Sequence, residues 1–131
     1  MRRPVLESEL YQLSPFFEEA TLERVRIRWL PRVLSLVAGI TLRRTILLSK
    51  RWLAPDPRPL LFHELVHVVQ YERLGPVRFL WRYLRGFVSG GFSYFRIPLE
   101  AHAYELQGRY LQDRGRAFSV SREVEARLAA Y

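Results

Sequence analysis

Residues His63-Glu64-Leu65-Val66-His67 form an HExxH pattern. Four residues of helix turn a side chain by about 40°, so two imidazoles at this spacing leave one face, one turn apart. From there both can reach a single Zn²⁺ at about 2.0–2.1 Å. Glu64 lies about 100° round the helix from His63, off the metal axis. It is placed to take a proton from a water beside the metal, not to ligate. The chain holds only three His and 11 Glu, so shuffling its residues would give this pattern about 0.004 times. Phe62, Leu65, Val66, Val68 and Val69 make the segment apolar nearly all round, as in a buried helix. Two His and a Glu buried there need partners, and a shared metal would supply them.

A catalytic zinc takes three protein ligands and keeps one position open. The chain has no Cys, so the third ligand is His, Asp or Glu. It is not a His six residues beyond His67, where Arg73 stands. The segment Pro98-Leu99-Glu100-Ala101-His102-Ala103-Tyr104-Glu105 is the source to expect. Glu100 would sit in the first turn of a helix, where the dipole favours a carboxylate. The small Ala101 and Ala103 would let that helix come close to the first. His102 and Glu105 are rivals, about 140–160° round the helix from Glu100, so only one of the two faces can point at the metal.

The two segments HELVHVVQ and PLEAHAYE together resemble the gluzincins, zinc peptidases with two His from HExxH and a downstream Glu on a second helix. The short length resembles their minimal members, the minigluzincins and peptidase-like domains of unknown function. The resemblance spans about residues 22–113. It implies zinc held by His63, His67 and Glu100, with Glu64 as general base in peptide-bond hydrolysis. It also implies strands within residues 40–49 beside the cleft, where an extended peptide could pair with a sheet edge. The family pattern is Glu-x-x-Ala-Asp or Glu-x-x-x-Asp; Glu100 and Ala103 match it, and Tyr104 stands at the Asp position. That Asp often orients a ligand His in gluzincins, a role the Tyr104 hydroxyl could take. An oxyanion formed during hydrolysis needs a further donor; Tyr71, Tyr94, Tyr104, His102 and Arg96 are the candidates. Gln70, three residues after His67, reads as a packing residue or a support for that His.

The elements that must position these groups follow from periodicity and punctuation. Leu6 to Leu13 reads as a short helix stopping near Pro15. Leu22 to Trp29 alternates Arg24, Arg26 and Arg28 with Val25, Ile27 and Trp29, which predicts a strand with one wet face. Gly39–Leu42 and Thr45–Ser49 read as two further strands, with Arg43-Arg44 as a tight turn that lacks the usual Gly or Asn. Asp56 can cap a helix over Leu60–Leu74 that ends at Gly75-Pro76. A second helix is expected over Pro76–Phe87, then a connector marked by Gly86, Gly90 and Gly91. That connector, Gly86 to Ile97, could form a lip or lid of the cleft. Pro98 opens a helix to about Asp113, and Ser119 or Ser121 caps a last one. The order predicts an α+β fold: a small three-stranded sheet beside a buried HExxH helix and further helices, in one zincin-like domain over 1–131.

With 131 residues, 49% hydrophobic and 26% charged, the composition is that of a globular domain and argues against disorder. Without Cys there are no disulfides and no Cys-ligated zinc, and a cytoplasmic location is expected. Met1-Arg2-Arg3-Pro4 is followed at once by Glu7 and Glu9, so no targeting segment is expected. The most apolar stretch, Val33 to Leu42, is too short for the about 20 residues of a membrane span. The net charge is +8, and every cation but Lys50 is Arg. Peptide or protein substrate is the partner implied; no nucleic acid is expected, and contact with a membrane surface stays open. Two rival readings remain. One is a silent or latent zinc-binding domain whose last helix fills the cleft. The other is a basic module for membrane surfaces or nucleic acid, in which Phe79, Trp81, Arg82, Tyr83, Arg85 and Phe87 interleave aromatics with Arg.

Overall fold

The computed structural model describes residues 4–34 and 36–130; the basic Met1–Arg3 start lies outside them. It has the expected α+β fold, six helices and a three-stranded sheet among the described residues. Helix α1 (Pro4–Tyr11) leads through a turn to α2 (Glu19–Arg24) and strand β1 (Arg26–Trp29). Strands β2 (Gly39–Leu42) and β3 (Thr45–Leu48) follow, then α3 (Arg58–Leu74), α4 (Pro76–Ser89), α5 (Pro98–Gln112) and α6 (Val120–Ala129). Single turns of 3₁₀ helix lie at Arg32–Leu34, Lys50–Trp52 and Tyr94–Arg96.

The strand expected from Leu22 starts later. Glu19–Arg24 is helical, and the chain becomes extended at Val25. Thr21 and Leu22 are buried by that helix, and Thr21 Oγ1 donates to Glu72 Oε1 at 2.9 Å. The alternation of Arg with apolar residues holds from Val25 onward, so the period-two signal was sound and only its start was misplaced.

In the sheet β3 is central, parallel to β1 and antiparallel to β2, which leaves β2 an edge strand. Leu42 pairs with Thr45 across the two-residue turn at Arg43-Arg44. Arg43 takes the left-handed conformation there, φ 58°, which a non-glycine residue adopts at a cost of about 1–2 kcal/mol.

Helix α3 runs through the centre, with every residue from Leu61 to Tyr71 buried. Asp56 accepts from the Arg58 backbone N–H at 3.1 Å and so satisfies a donor of its first turn. Gly75, φ 81°, ends the helix with its N–H on Tyr71 O. On one side of α3, Phe62 stacks on Tyr110 of α5 with ring centroids 4.7 Å apart. Phe16, Phe17 and Phe118 pack edge-on or tilted around that pair. Each such side chain contributes roughly 1.5–3 kcal/mol by leaving water.

Helix α4 extends two residues past the expected Phe87, and Gly86 lies inside it, not in the connector. The reason is packing: a Cβ at Gly86 would lie 2.7 Å from Pro98 Cδ, so α4 touches the start of α5 there. Ser119, not Ser121, caps α6 by accepting from the Arg122 N–H. No helix among the described residues is long and apolar enough to cross a membrane.

Candidate metal centre

Helices α3 and α5 bring His63, His67 and Glu100 together, all buried, with one ligand atom from each within 4.8 Å of the others. Glu100 Oε1 lies 2.9 Å from His63 Nε2 and 3.0 Å from His67 Nε2. Bonds of about 2.0–2.1 Å in a tetrahedral zinc site put ligand atoms about 3.3 Å apart, so these spacings are within a few tenths of an ångström of such a site.

The outer nitrogens are fixed as well. His67 Nδ1 lies 2.8 Å from Gln70 Oε1, and the Gln70 amide nitrogen donates to Leu99 O at 3.0 Å. That second bond sets the Gln70 amide, so its oxygen accepts and His67 Nδ1 donates. His63 Nδ1 lies 2.9 Å from Gln107 Oε1. An imidazole that carries its only proton on Nδ1 turns an Nε2 lone pair toward the carboxylate oxygen, and one protonated on Nε2 donates to it instead. In the first case, on both rings, three acceptors converge on one point; in the second the cluster is a buried hydrogen-bonded pair or ion pair. A proton on one ring alone gives an imidazolium–carboxylate pair, while protons on both would set two cations side by side, with ring centroids 4.9 Å apart. One divalent cation satisfies all three acceptors, and the donor set of two imidazoles and a carboxylate suits zinc.

Burial alone would favour neutral Glu100. Hydrogen bonds from His63 and His67, the charge of His67 and the Tyr83 hydroxyl outweigh it and hold Glu100 below the usual carboxylate range. For His67, burial disfavours the imidazolium, but the hydrogen bond and charge of Glu100 carry its pKa above the ordinary value. Both shifts favour a charged His67–Glu100 pair. Tyr83 OH of α4 donates to Glu100 Oε2 at 2.6 Å, which fixes the other carboxylate oxygen.

Glu64 is held from the sheet side. Thr41 Oγ1 of β2 lies 2.8 Å from Glu64 Oε1 and 3.1 Å from the Glu64 carbonyl oxygen. Gly39, two residues earlier, makes the approach close: a Cβ there would meet Glu64 Cγ and Cδ at 3.4 Å and Leu48 Cδ2 at 3.3 Å. Between β2 and α4 lies a cavity of about 290 Å³ lined by Glu64, His67 and Glu100 on its floor. Its walls are Val37, Ile40 and Leu42 on the sheet side and Phe79, Leu80, Tyr83 and Tyr94 on the other.

Of the residues expected from sequence, His63, His67, Glu100 and Glu64 meet at this site. His102 and Glu105 do not: they lie toward α6, where Arg127 binds Glu105 Oε2 at 2.6 Å and His102 Nε2 is 3.9 Å from the same oxygen. Gln70 does support His67. Tyr104 packs its ring on His63, centroids 4.4 Å apart, while Gln107 takes the orienting contact considered for the Tyr104 hydroxyl. Tyr71 and Tyr94 line the cavity. Arg96 is exposed and packs its Cβ over Gly90. Tyr94 makes the connector a wall of the cleft, though most of its glycine-marked span is helix α4. Helix α6 is not among the cavity walls; Val120 and Val124 bury it in the core with α3. Gln107, Tyr83 and Thr41 were not foreseen. Gln107 was within reach of a sequence argument, since it stands seven residues from Glu100 on the same helix face.

No family model, curated protein or solved structure matches the chain. The likeness to gluzincins therefore rests on the HExxH residues, Glu100 and Ala103 alone.

Proposed function

We propose that the protein is a zinc-dependent peptidase that hydrolyses peptide bonds. His63, His67 and Glu100 would hold the ion, and Glu64 would act as general base. The observation that carries this reading is the convergence of both Nε2 atoms on Glu100 Oε1, with Glu64 beside them on the floor of an open cavity. A bound zinc ion lowers the pKa of water toward 7 and polarises a carbonyl group.

The chain's own groups do the rest. Thr41 holds Glu64 Oε1 and leaves Oε2 to accept a proton and deliver it to the leaving amine. Gln70 and Gln107 keep both imidazoles turned to the centre. Tyr94, on the cavity wall, would donate to the developing oxyanion. Edge strand β2 offers backbone groups to an extended substrate, and the walls of Val37, Ile40, Phe79 and Leu80 suit an apolar side chain.

The test is Glu64→Gln on zinc-loaded protein with unstructured peptides at near-neutral pH. The variant keeps its zinc, because Glu64 is not a ligand, and loses about 10²–10⁴-fold in hydrolysis. Equal cleavage by both proteins would assign the activity to a contaminant. Zinc bound in both with cleavage by neither would replace this reading by that of a silent zinc-binding domain.

A further inference from the structure

Helix α4 has two apolar faces. Phe79, Tyr83 and Phe87 pack inward. Val77, Leu80, Trp81, Leu84 and Val88 recur at helical spacing on the outer side, and all five are exposed, Trp81 by 63%. The connector after α4 adds Phe92 and Phe95, exposed by 68% and 70%. Across the cavity, the segment leading into β2 exposes Val33 and Leu36, the latter by 87%. Val37, Ile40, Leu42 and Leu80 are at once exposed and part of the cavity walls, so the apolar surface surrounds the mouth.

The charge around this surface is predominantly positive. Residues 24–55 and 73–99, which supply both rims, hold 13 of the 21 Lys and Arg and none of the 13 Asp and Glu. Arg78 and Arg85 are exposed on α4 beside its outer apolar stripe. Arg24, Arg43 and Arg44 form a basic wall next to Pro76, where α4 begins. Glu72, which borders that wall, is engaged by Thr21 and by Arg24. A large apolar patch on a monomer marks an interaction site. Ringed by cations and carrying Trp and Phe, it matches a surface with anionic headgroups above an apolar interior.

We propose that this face docks the protein on an anionic phospholipid bilayer with the cavity mouth turned to the lipid. The inference rests on the surface and is independent of what the buried cluster holds. The full chain should sediment with vesicles of mixed phosphatidylserine and phosphatidylcholine and not with pure phosphatidylcholine. Rising salt should weaken binding as headgroup charge is screened. Arg78→Glu with Arg85→Glu should lower partitioning roughly thirtyfold or more. Trp81→Asp should lower it about tenfold or more, with Trp81→Phe retaining it. All these positions are exposed, so each variant should keep the wild-type circular dichroism and melting profile. Wild-type protein that ignores both kinds of vesicle overturns the proposal. So does vesicle binding unchanged in the charge and Trp81→Asp variants. A concentration-dependent dimer, or DNA binding, sensitive to these substitutions without vesicle binding would give the face another occupant and overturn it too.

Discussion

Helices α3 and α5 meet in two ways. On one side Phe62 stacks on Tyr110 among other aromatics. On the other, His63 and His67 face Glu100, and every outer nitrogen or oxygen of the cluster is met by Gln70, Gln107 or Tyr83. Phe62 and His63 are neighbours in the chain, yet they sit in opposite kinds of environment. The aromatic side is non-directional and serves stability, where size and shape decide. The polar side is directional: each buried group carries a desolvation cost that only an aligned partner offsets. The contrast separates the packing that holds the two helices together from the polar cluster between them.

The largest effects should divide along that line. Phe62→Ala should cost about 3–5 kcal/mol in urea unfolding, through lost burial and a cavity, while the folded fraction keeps its zinc. His67→Ala should abolish zinc retention, measured as metal content after gel filtration. Loss of zinc from folded Phe62→Ala would show that the two sides are not separable.

A smaller effect sharpens the polar side. Gln107→Ala leaves His63 Nδ1 without its hydrogen-bond partner and should weaken zinc affinity about 10–100-fold with the fold intact. Affinity unchanged in a competition titration would reduce Gln107 to a packing residue.

The smallest effect calibrates both against an exposed charge cluster at the start of α3. Arg58, then Arg114, hold the Asp56 carboxyl well below the usual carboxylate range. A depressed folded pKa gives stability that is present above the unfolded value of 3.8 and lost as pH falls below it. Asp56 and its partners are all more than a third exposed, so solvent screening keeps Asp56→Asn to about 1 kcal/mol or less. The gap to wild type should stay level from neutral pH to about pH 5 and close below about pH 4. A gap that widened in acid would contradict the sign of the shift.

Much of this was legible in the sequence because it is local. HExxH spacing on an apolar helix, Pro98 opening α5, and Gly75-Pro76 dividing α3 from α4 act within one or two turns. Glu100 could be preferred over His102 from its place in the first turn of the helix, while helix phase said only that the two could not both face the metal. Tyr83 and Thr41 could not be found, since each reaches the site from another element through tertiary packing. Gly86 misled for a related reason. As a glycine it signals a break, but here it admits Pro98 against a continuous helix. The start of β1 was misplaced because Leu22 is apolar at a position where a strand and a helix would both bury it.

The central claim is that His63, His67 and Glu100 hold a metal ion, and anomalous X-ray scattering at the zinc edge tests it most directly. Crystals of protein purified without chelator and supplied with one equivalent of zinc are the sample. The account predicts one peak per chain, about 2.0–2.1 Å from His63 Nε2, His67 Nε2 and a Glu100 oxygen. No peak there, with both imidazoles still hydrogen-bonded to Glu100, would contradict it.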